Sequence, residues 1–505
     1  MGESGDTSDS GSNPIALEVG ARLERGPSKQ LIETAFANDL AVQLSLTSAI
    51  SLADLAHTLC AINSGSIPID PGTELVRALL ELHEQPSSFK PVPAEGDLYT
   101  NREAWLGKRT RAVDWLGCGR ARREATTAAY LLNTRSGLLS LAAALIELAN
   151  GATAAAAKHR AALMPDYTYL QTAQPTSFGH YLLGFVYPML RDLDRLRAAF
   201  TRVNASPLGC GSTNGSRFAF ERDLAANALG FDSVSMHARD AMWQADVPIE
   251  LAALLSASVI NVDRLAEDLQ VFATQEFSLV ELCDSHSRAS KIMPQKKNPF
   301  ALTHIRGVAN EIIGTATSLS ACARSPSGQP DNRFMVYGQL PTAIDRVTGT
   351  LYLMRDVLLE LRFDAERGSQ LVTPATLATD LAETLVIETG LAPRSAHRLV
   401  GHLVREHGGG LTGLTTADIT GAAQRLFGHP TTISSQSLQA ALDPRRALAA
   451  RETPGGAGSH AMTVMLDQCV ASLKSHSEWH AATRARLDDS ETLLLERAKA
   501  LVATS

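Results

Sequence analysis

Apolar residues recur at three- and four-residue spacing along the middle of the chain, as in Leu182, Phe185, Val186, Met189, Leu190, Leu193 and Leu196. That is the period of one helix face. The same pattern, rich in alanine and leucine, predicts long helices over residues 122–159, 176–203, 240–275, 299–320 and 337–361. Helices of about 25 to 35 residues exceed the usual globular length, which points to a bundle whose faces pack on other subunits. On either side the pattern shortens. From about Gly20 to Gly117 it is broken by Pro68, Pro71, Pro86, Pro91 and Pro93, and beyond Gly368 it breaks near 390–393, 408–410 and 454–458. The expected organisation is a tail over residues 1–18, an N-terminal helical domain over 19–118, a central long-helix domain over 119–367 and a C-terminal helical domain over 368–505.

Composition agrees with an all-α protein. Aromatic residues are only 5% of the 505, and runs of β-branched residues are scarce. A chain this long predicts two to three domains. The net charge of -7 argues against nucleic acid or an anionic membrane as the partner. No uninterrupted apolar run reaches the roughly 18 residues of a membrane span. Met1 to Asn13 is rich in Gly, Ser and Asp without a basic or apolar block, so it reads as a disordered tail and not as a signal peptide. The six cysteines (Cys60, Cys118, Cys210, Cys283, Cys322 and Cys469) form no CxxC pair. They read as reduced thiols of a cytoplasmic protein, with no metal and no cofactor expected.

Candidate chemistry is concentrated in the ten residues from Ser290 to Pro299. Asn298 followed by Pro299 reads as an N-cap with proline at the first helical position. Lys291, Lys296 and Lys297 beside that helix start make an anion site. The plain alternative is a solvated basic loop before a surface helix. A second block runs Tyr167-Thr168-Tyr169-Leu170-Gln171-Thr172-Ala173-Gln174-Pro175, with Gln174 to Thr176 reading as a turn into a helix. A third is Gly119-Arg120-Ala121-Arg122-Arg123-Glu124. A basic run at a helix start opposes the helix dipole, which makes an anion the better reason for it.

Order and spacing in these blocks resemble the fumarase/aspartase superfamily, whose members release fumarate by β-elimination. Met293-Pro294-Gln295-Lys296-Lys297-Asn298-Pro299 is most similar to the argininosuccinate lyase branch. Pro207-Leu208-Gly209-Cys210-Gly211, Glu221-Arg222-Asp223-Leu224, residues 377–382 and Gly455-Gly456-Ala457 extend the resemblance over all but about the first 18 residues. The resemblance implies three helical domains, with five central helices pairing around a homotetramer and each active site drawing on three subunits. It implies a small dicarboxylate substrate. It assigns Ser290 as the base, whose hydroxyl pKa the site must depress. Lys296 and Asn298 then grip the reacting carboxylate, and Met293 packs beneath the loop with its backbone near the substrate. Thr168, Gln171 and Arg122 also hold substrate, Arg122 with a bidentate fork.

Departures from the family pattern cluster where the leaving group would sit. The acid histidine is replaced by Tyr169, a group with pKa near 10. Tyr169 is then the acid, or a histidine such as His237 or His286 has the role, or the leaving group needs little protonation. Arg123 replaces an asparagine, which implies an additional anion on the substrate or a new internal salt bridge. Tyr99, after Asp97, replaces another histidine, while Asp97 itself remains a substrate-facing candidate. His237 stands where the family has asparagine, and residues 325–333 lack the block that grips the amino-acid end of argininosuccinate. The expectation is a carbon–nitrogen lyase releasing fumarate from an N-substituted aspartate other than argininosuccinate. The rivals are argininosuccinate lyase with a rebuilt site, and an inert structural or regulatory homologue.

Overall fold

The computed structural model describes residues 26–328 and 331–504; the expected tail over residues 1–18 lies outside them, as do Gln329 and Pro330. Helix dominates, and five long helices form the centre: α1 (Arg122–Lys158), α2 (Phe178–Val203), α3 (Asp246–Phe272), α4 (Phe300–Ala323) and α5 (Asp331–Glu360). α3 starts later than its periodicity predicts. The chain breaks at Gln244, which is extended, so Ala238–Trp243 forms a separate short helix capped by His237. α1 packs on α5 and α2, and α3 on α4. Alanines such as Ala125, Ala128, Ala142 and Ala149 on the buried face of α1 let neighbouring backbones approach closely. Where α2 begins, the approach is so close that a Cβ at Gly179 would lie 2.3 Å from the carbonyl oxygen of Ala156.

Side-chain pairs fix the helix directions. Near the start of α4, Arg306 donates to Glu267 near the end of α3 at 2.9 Å. Tyr181 near the start of α2 donates to Asp268 at 2.8 Å. Both helices therefore run antiparallel to α3. The rings of Tyr130 and Tyr337 lie 5.0 Å apart near the starts of α1 and α5, so that pair is parallel. One end of the bundle gathers the N-termini of α1, α3 and α5, and the other their C-termini.

Two stretches, Lys29–Asn63 and Arg122–Lys158, are apolar enough over their length to cross a membrane, although neither holds an uninterrupted apolar run. In this structure 72% and 67% of their most apolar windows are buried within the protein.

Between α1 and α2 the chain forms an antiparallel hairpin, β1 (Leu163–Thr168) and β2 (Gln171–Ser177). The predicted turn at Gln174 to Thr176 is instead part of β2. The turn is Tyr169-Leu170, with φ of +55° and +56°, and Ser177 caps α2 by accepting from the His180 N–H at 3.0 Å.

The region expected as one C-terminal group splits in its packing. Leu381, Leu399, Leu403, Ile419 and neighbours out to Ala441 enclose a separate small core. The last helix, α6 (Ser459–Ala503), is as long as any in the bundle, and Met462, Cys469, Leu473 and Leu494 return it to the main core. The broken pattern beyond Gly368 ends at the Pro454–Gly458 break, after which 45 residues run without glycine or proline.

Candidate active site

At the end where α1 and α3 finish, aromatic packing seats the hairpin and the loop that follows α3. Tyr167 lies against Phe272 at 5.8 Å and Phe277 at 5.4 Å, and Phe178 stacks on Phe363 at 4.4 Å. Ser285 donates to Glu360 at 2.8 Å, and the His286 ring sits against the same carboxylate at 3.7 Å. Arg288-Ala289 then pairs antiparallel with Lys297-Asn298, which closes Ser290–Lys296 into a lobe. Within it the Ser290 N–H donates to the Lys296 carbonyl at 3.2 Å, and the Lys296 N–H to the Met293 carbonyl at 3.1 Å. Ser290 Oγ receives the N–H groups of Met293 at 3.0 Å and Ile292 at 3.3 Å. Two backbone donors of the same lobe therefore converge on this hydroxyl oxygen.

Three expectations for the lobe need correction. Asn298 does not cap α4, which starts at Phe300 after an uncapped Pro299. Ladder pairing holds Asn298 extended, and its Nδ2 donates to the Arg288 carbonyl at 2.9 Å. Lys297 is withdrawn from any anion field by Asp284 at 2.7 Å and Glu281 at 3.3 Å, whose hydrogen bonds hold it charged. Met293 does not pack beneath the loop in the isolated chain but is 41% exposed. Lys291 and Lys296 make no ion pair among the described residues. The hairpin tip is equally open, with Thr168 and Gln171 exposed and Tyr169 99% exposed.

The remaining candidates occupy the opposite end. Asp97 caps the helix Leu98–Gly107, accepting from the Thr100 N–H at 2.9 Å and hydroxyl at 2.8 Å, and pairs with Arg122 Nε at 3.4 Å. Tyr99 is buried, with Arg120 5.9 Å from its ring, and burial pushes its phenol up. It is a core residue that does not face a site. Arg123 lies over the Trp243 ring at 5.4 Å, and Trp243 Nε1 donates to the Ser212 carbonyl at 3.0 Å. His237 Nδ1 accepts from the Asp240 N–H at 3.3 Å. The exposed His237 lines a cleft of about 630 Å³ together with Cys210, Thr213, Asn214, Phe218 and Arg239.

Several residues that build this end escaped the sequence reading. Glu124 is fully buried and accepts the Gly209 N–H at 2.9 Å and that of Gly211, with burial pushing its carboxyl up to about 7. The loop it grips needs glycine, because Gly211 has φ +64° and a Cβ there would lie 2.6 Å from the Gly215 carbonyl oxygen. Asp54 joins two buried guanidiniums, Arg102 at 2.8 Å and Arg120. No local signal marks either carboxylate, since their partners are far away in sequence.

The structure thus gathers Thr168, Tyr169, Gln171, Ser290, Met293, Lys296 and Asn298 at one end, and Asp97, Arg122, Arg123 and His237 at the other. The 37 residues of α1 separate them by about 55 Å at 1.5 Å per residue. No four-carbon diacid touches both sets within one chain. Among the described residues no three His, Cys, Asp or Glu side chains are grouped to hold a metal ion, and all six cysteines are free.

A family model described as Lyase matches residues 97–314, and one described as Argininosuccinate lyase C-terminal matches residues 375–449. The argininosuccinate lyase of Methanothrix thermoacetophila is 31% identical over 465 residues, covering 91% of this chain and 95% of the relative. That of Methanoculleus marisnigri is 32% identical over 463 residues, covering 88% and 91%. Among solved structures, EDDS lyase in complex with formate superposes with a TM-score of 0.85 at 24% identity, covering 97% of this chain and 99% of the other. A class II fumarase from Schistosoma mansoni gives 0.68 at 16% identity, covering 85% and 96%. Both share the fold.

Proposed function

The chain belongs to the fumarase/aspartase superfamily, on its argininosuccinate lyase-like branch, as a fumarate-releasing carbon–nitrogen lyase, and we propose that its substrate is an N-substituted aspartate other than argininosuccinate. The reading is supported by a contrast among the candidate residues, which runs across both ends of the bundle. The Ser290 lobe carries two N–H donors on Ser290 Oγ, and its Lys296 makes no ion pair among the described residues. The leaving-group residues are altered, with Tyr169 in place of a histidine and Arg123 in place of an asparagine. A fold shared with an EDDS lyase also favours a leaving group other than arginine.

In the proposed reaction Ser290 Oγ removes the proton from the carbon beside one carboxylate. Lys296 holds that carboxylate as it takes up charge, the term expected to lower the barrier most. Asn298 supports the lobe through its bond to Arg288. Arg122 grips the second carboxylate, beside Asp97. Thr168 and Gln171 orient the diacid, and Tyr169 gives its proton to the departing nitrogen. These residues meet only if copies of the chain pack antiparallel, lobe against the far end of a neighbour. We therefore propose a cytoplasmic homotetramer with composite sites, its contacts drawing on the exposed Ile249, Ile260 and Ile313 of α3 and α4.

The second reading, argininosuccinate lyase with a rebuilt pocket, is favoured by the names of the relatives. An inert homologue is disfavoured by the lobe, since a chain without chemistry has no use for donors trained on a serine hydroxyl. Fumarate appearance by ultraviolet absorbance separates all three. Fumarate from another N-substituted aspartate, with argininosuccinate silent, is the expected result. Turnover of argininosuccinate at an enzyme-like rate would sink the proposal.

A further inference from the structure

The Ser290 lobe has to keep a hydroxyl in place, yet within one chain it has no buried residue to do so. None from Cys283 to Phe300 is buried, and Ile292 is 85% exposed. The ladder that closes the lobe pairs only Arg288 with Asn298 and Ala289 with Lys297. A two-stranded ribbon so short is not stable by itself. The place of Ser290 therefore depends on how the two stems of the lobe are fixed to each other.

Each stem is anchored separately. On the approach, Val280-Glu281 pairs with Arg362-Phe363, and the buried Phe363 stacks on Phe178 at 4.4 Å. Ser285 is held by Glu360 at 2.8 Å. On the return, the chain runs into α4, where Ala301 and Leu302 are buried. Lys297 joins the two. Its Nζ lies 2.7 Å from Asp284 and 3.3 Å from Glu281, and Glu281 also pairs with Arg362. Of the side chains from Ser290 to Asn298, Lys297 alone makes a polar bond to a residue ahead of Arg288, among the described residues. Asn298 bonds within the ladder, to the Arg288 carbonyl, and Arg288 lies over the Phe300 ring at 4.5 Å. An exposed ion pair is weak taken singly, but here four charges alternate in sign across the neck as a network. The next link leads to the reacting group, since the Ser290 N–H donates to the carbonyl of Lys296, the residue before Lys297.

We propose that Lys297 is a positioning residue for Ser290, clasping the neck of the lobe to Glu281 and Asp284 instead of binding substrate. The proposal rests on the lyase reading above and deepens it. Three variants test it: Lys297→Met, the pair Glu281→Gln with Asp284→Asn, and all three together. Fumarate release gives kcat and KM with whichever N-substituted aspartate the wild type turns over. Hydrogen exchange by mass spectrometry follows residues 287–298 without need of turnover.

Lys297→Met should lower kcat about three- to tenfold and leave KM within about twofold, as expected when an exposed network sets the aim of a reacting group. Exchange in the lobe should quicken, with the melting temperature close to that of the wild type. The double acid variant carries the sharper sign. It removes two negative charges near a site for carboxylates, so the field alone would tighten binding and spare kcat. The clasp predicts the same kcat loss as Lys297→Met, and no further loss when all three are combined. Lys297→Glu should regain part of its lost kcat when Asp284→Lys is added. An acid variant as fast as the wild type, unchanged exchange in Lys297→Met, or a rise in KM alone would each overturn the proposal. If the wild type releases no fumarate from any N-substituted aspartate, the lyase reading fails, and exchange still decides the clasp: quickened supports it, unchanged overturns it.

Discussion

Replacing Asp54 by asparagine tests how the Arg122 end of the molecule is held. Asp54, Arg102 and Arg120 have no exposed side-chain surface. One carboxylate serves two guanidiniums: Oδ2 accepts Arg102 Nη2 at 2.8 Å and Oδ1 accepts Arg120. Beyond it, Arg102 reaches Ser51 Oγ at 2.9 Å and Arg120 the Leu116 carbonyl at 3.2 Å, while Arg102 Nε and Arg120 Nη1 have no hydrogen-bond partner among the described residues. Asparagine keeps the shape but removes the charge and turns an NH2 toward one arginine. Removing one partner of a buried ion pair costs about 3–5 kcal/mol, because the remaining charge is left uncompensated. With an unfolding entropy of about 2.1 cal/mol/K per residue, 505 residues give about 1 kcal/mol per degree. The melting temperature should therefore fall by about 3–5 °C, as read by calorimetry, with a matching fall in the urea midpoint. Arg120 is two residues from Arg122, so KM should rise as well. A variant that melts with the wild type would refute the reasoning, showing that the two arginines find other acceptors or water.

Three further outcomes are expected. Ser290→Ala and Arg122→Leu should each release no fumarate while remaining tetrameric by size-exclusion chromatography. Mixing and reassembling the two should restore activity, because composite sites draw the two residues from different copies; a silent mixture would count against composite sites. Tyr169→Phe should slow substrates with basic leaving groups far more than those with good ones, and equal losses would assign Tyr169 to positioning. Glu103 is pushed up from 4.5 to about 7, first by burial and then by Asp54. The folded state holds that proton more tightly than the unfolded, so this group contributes stability below pH 4.5 that is lost as pH rises through about 7. Glu103→Gln should gain little melting temperature over the wild type at pH 5 and more at pH 8, and a gap independent of pH would contradict the assignment.

The bundle was legible because α1, α2 and α4 repeat apolar residues at the helical period, with capping or breaking residues close to their ends. α6 was not, since its buried positions from Met462 to Ala498 are spaced thinly among polar residues. The hairpin was hidden for a different reason. Its turn places Tyr169 and Leu170 in a left-handed conformation that both avoid, in place of the Asn-Gly pair that announces such a turn. At the site, residue types in order disclosed the Ser290 lobe, but each of its hydrogen bonds has a backbone group, which any residue carries, on at least one side. Partners 48 and 66 residues away define the role of Asp54, and no local pattern reports such distances. The wide separation of Arg122 from Ser290 appears only once the helix directions are known.

The return of α6 to the main core has a consequence for how the protein is made. Its apolar face covers α1, α2 and the helices Thr47–Asn63 and Ile69–Glu84, all of which leave the ribosome far earlier. Until α6 emerges, those helices present an uncovered greasy flank, while the small core from Leu381 to Ala441 draws its buried residues from its own segment. The main core thus waits on α6, an interval in which a holding chaperone or premature self-association competes with completion. A chain stopped at the Pro454–Gly458 break would never leave that interval.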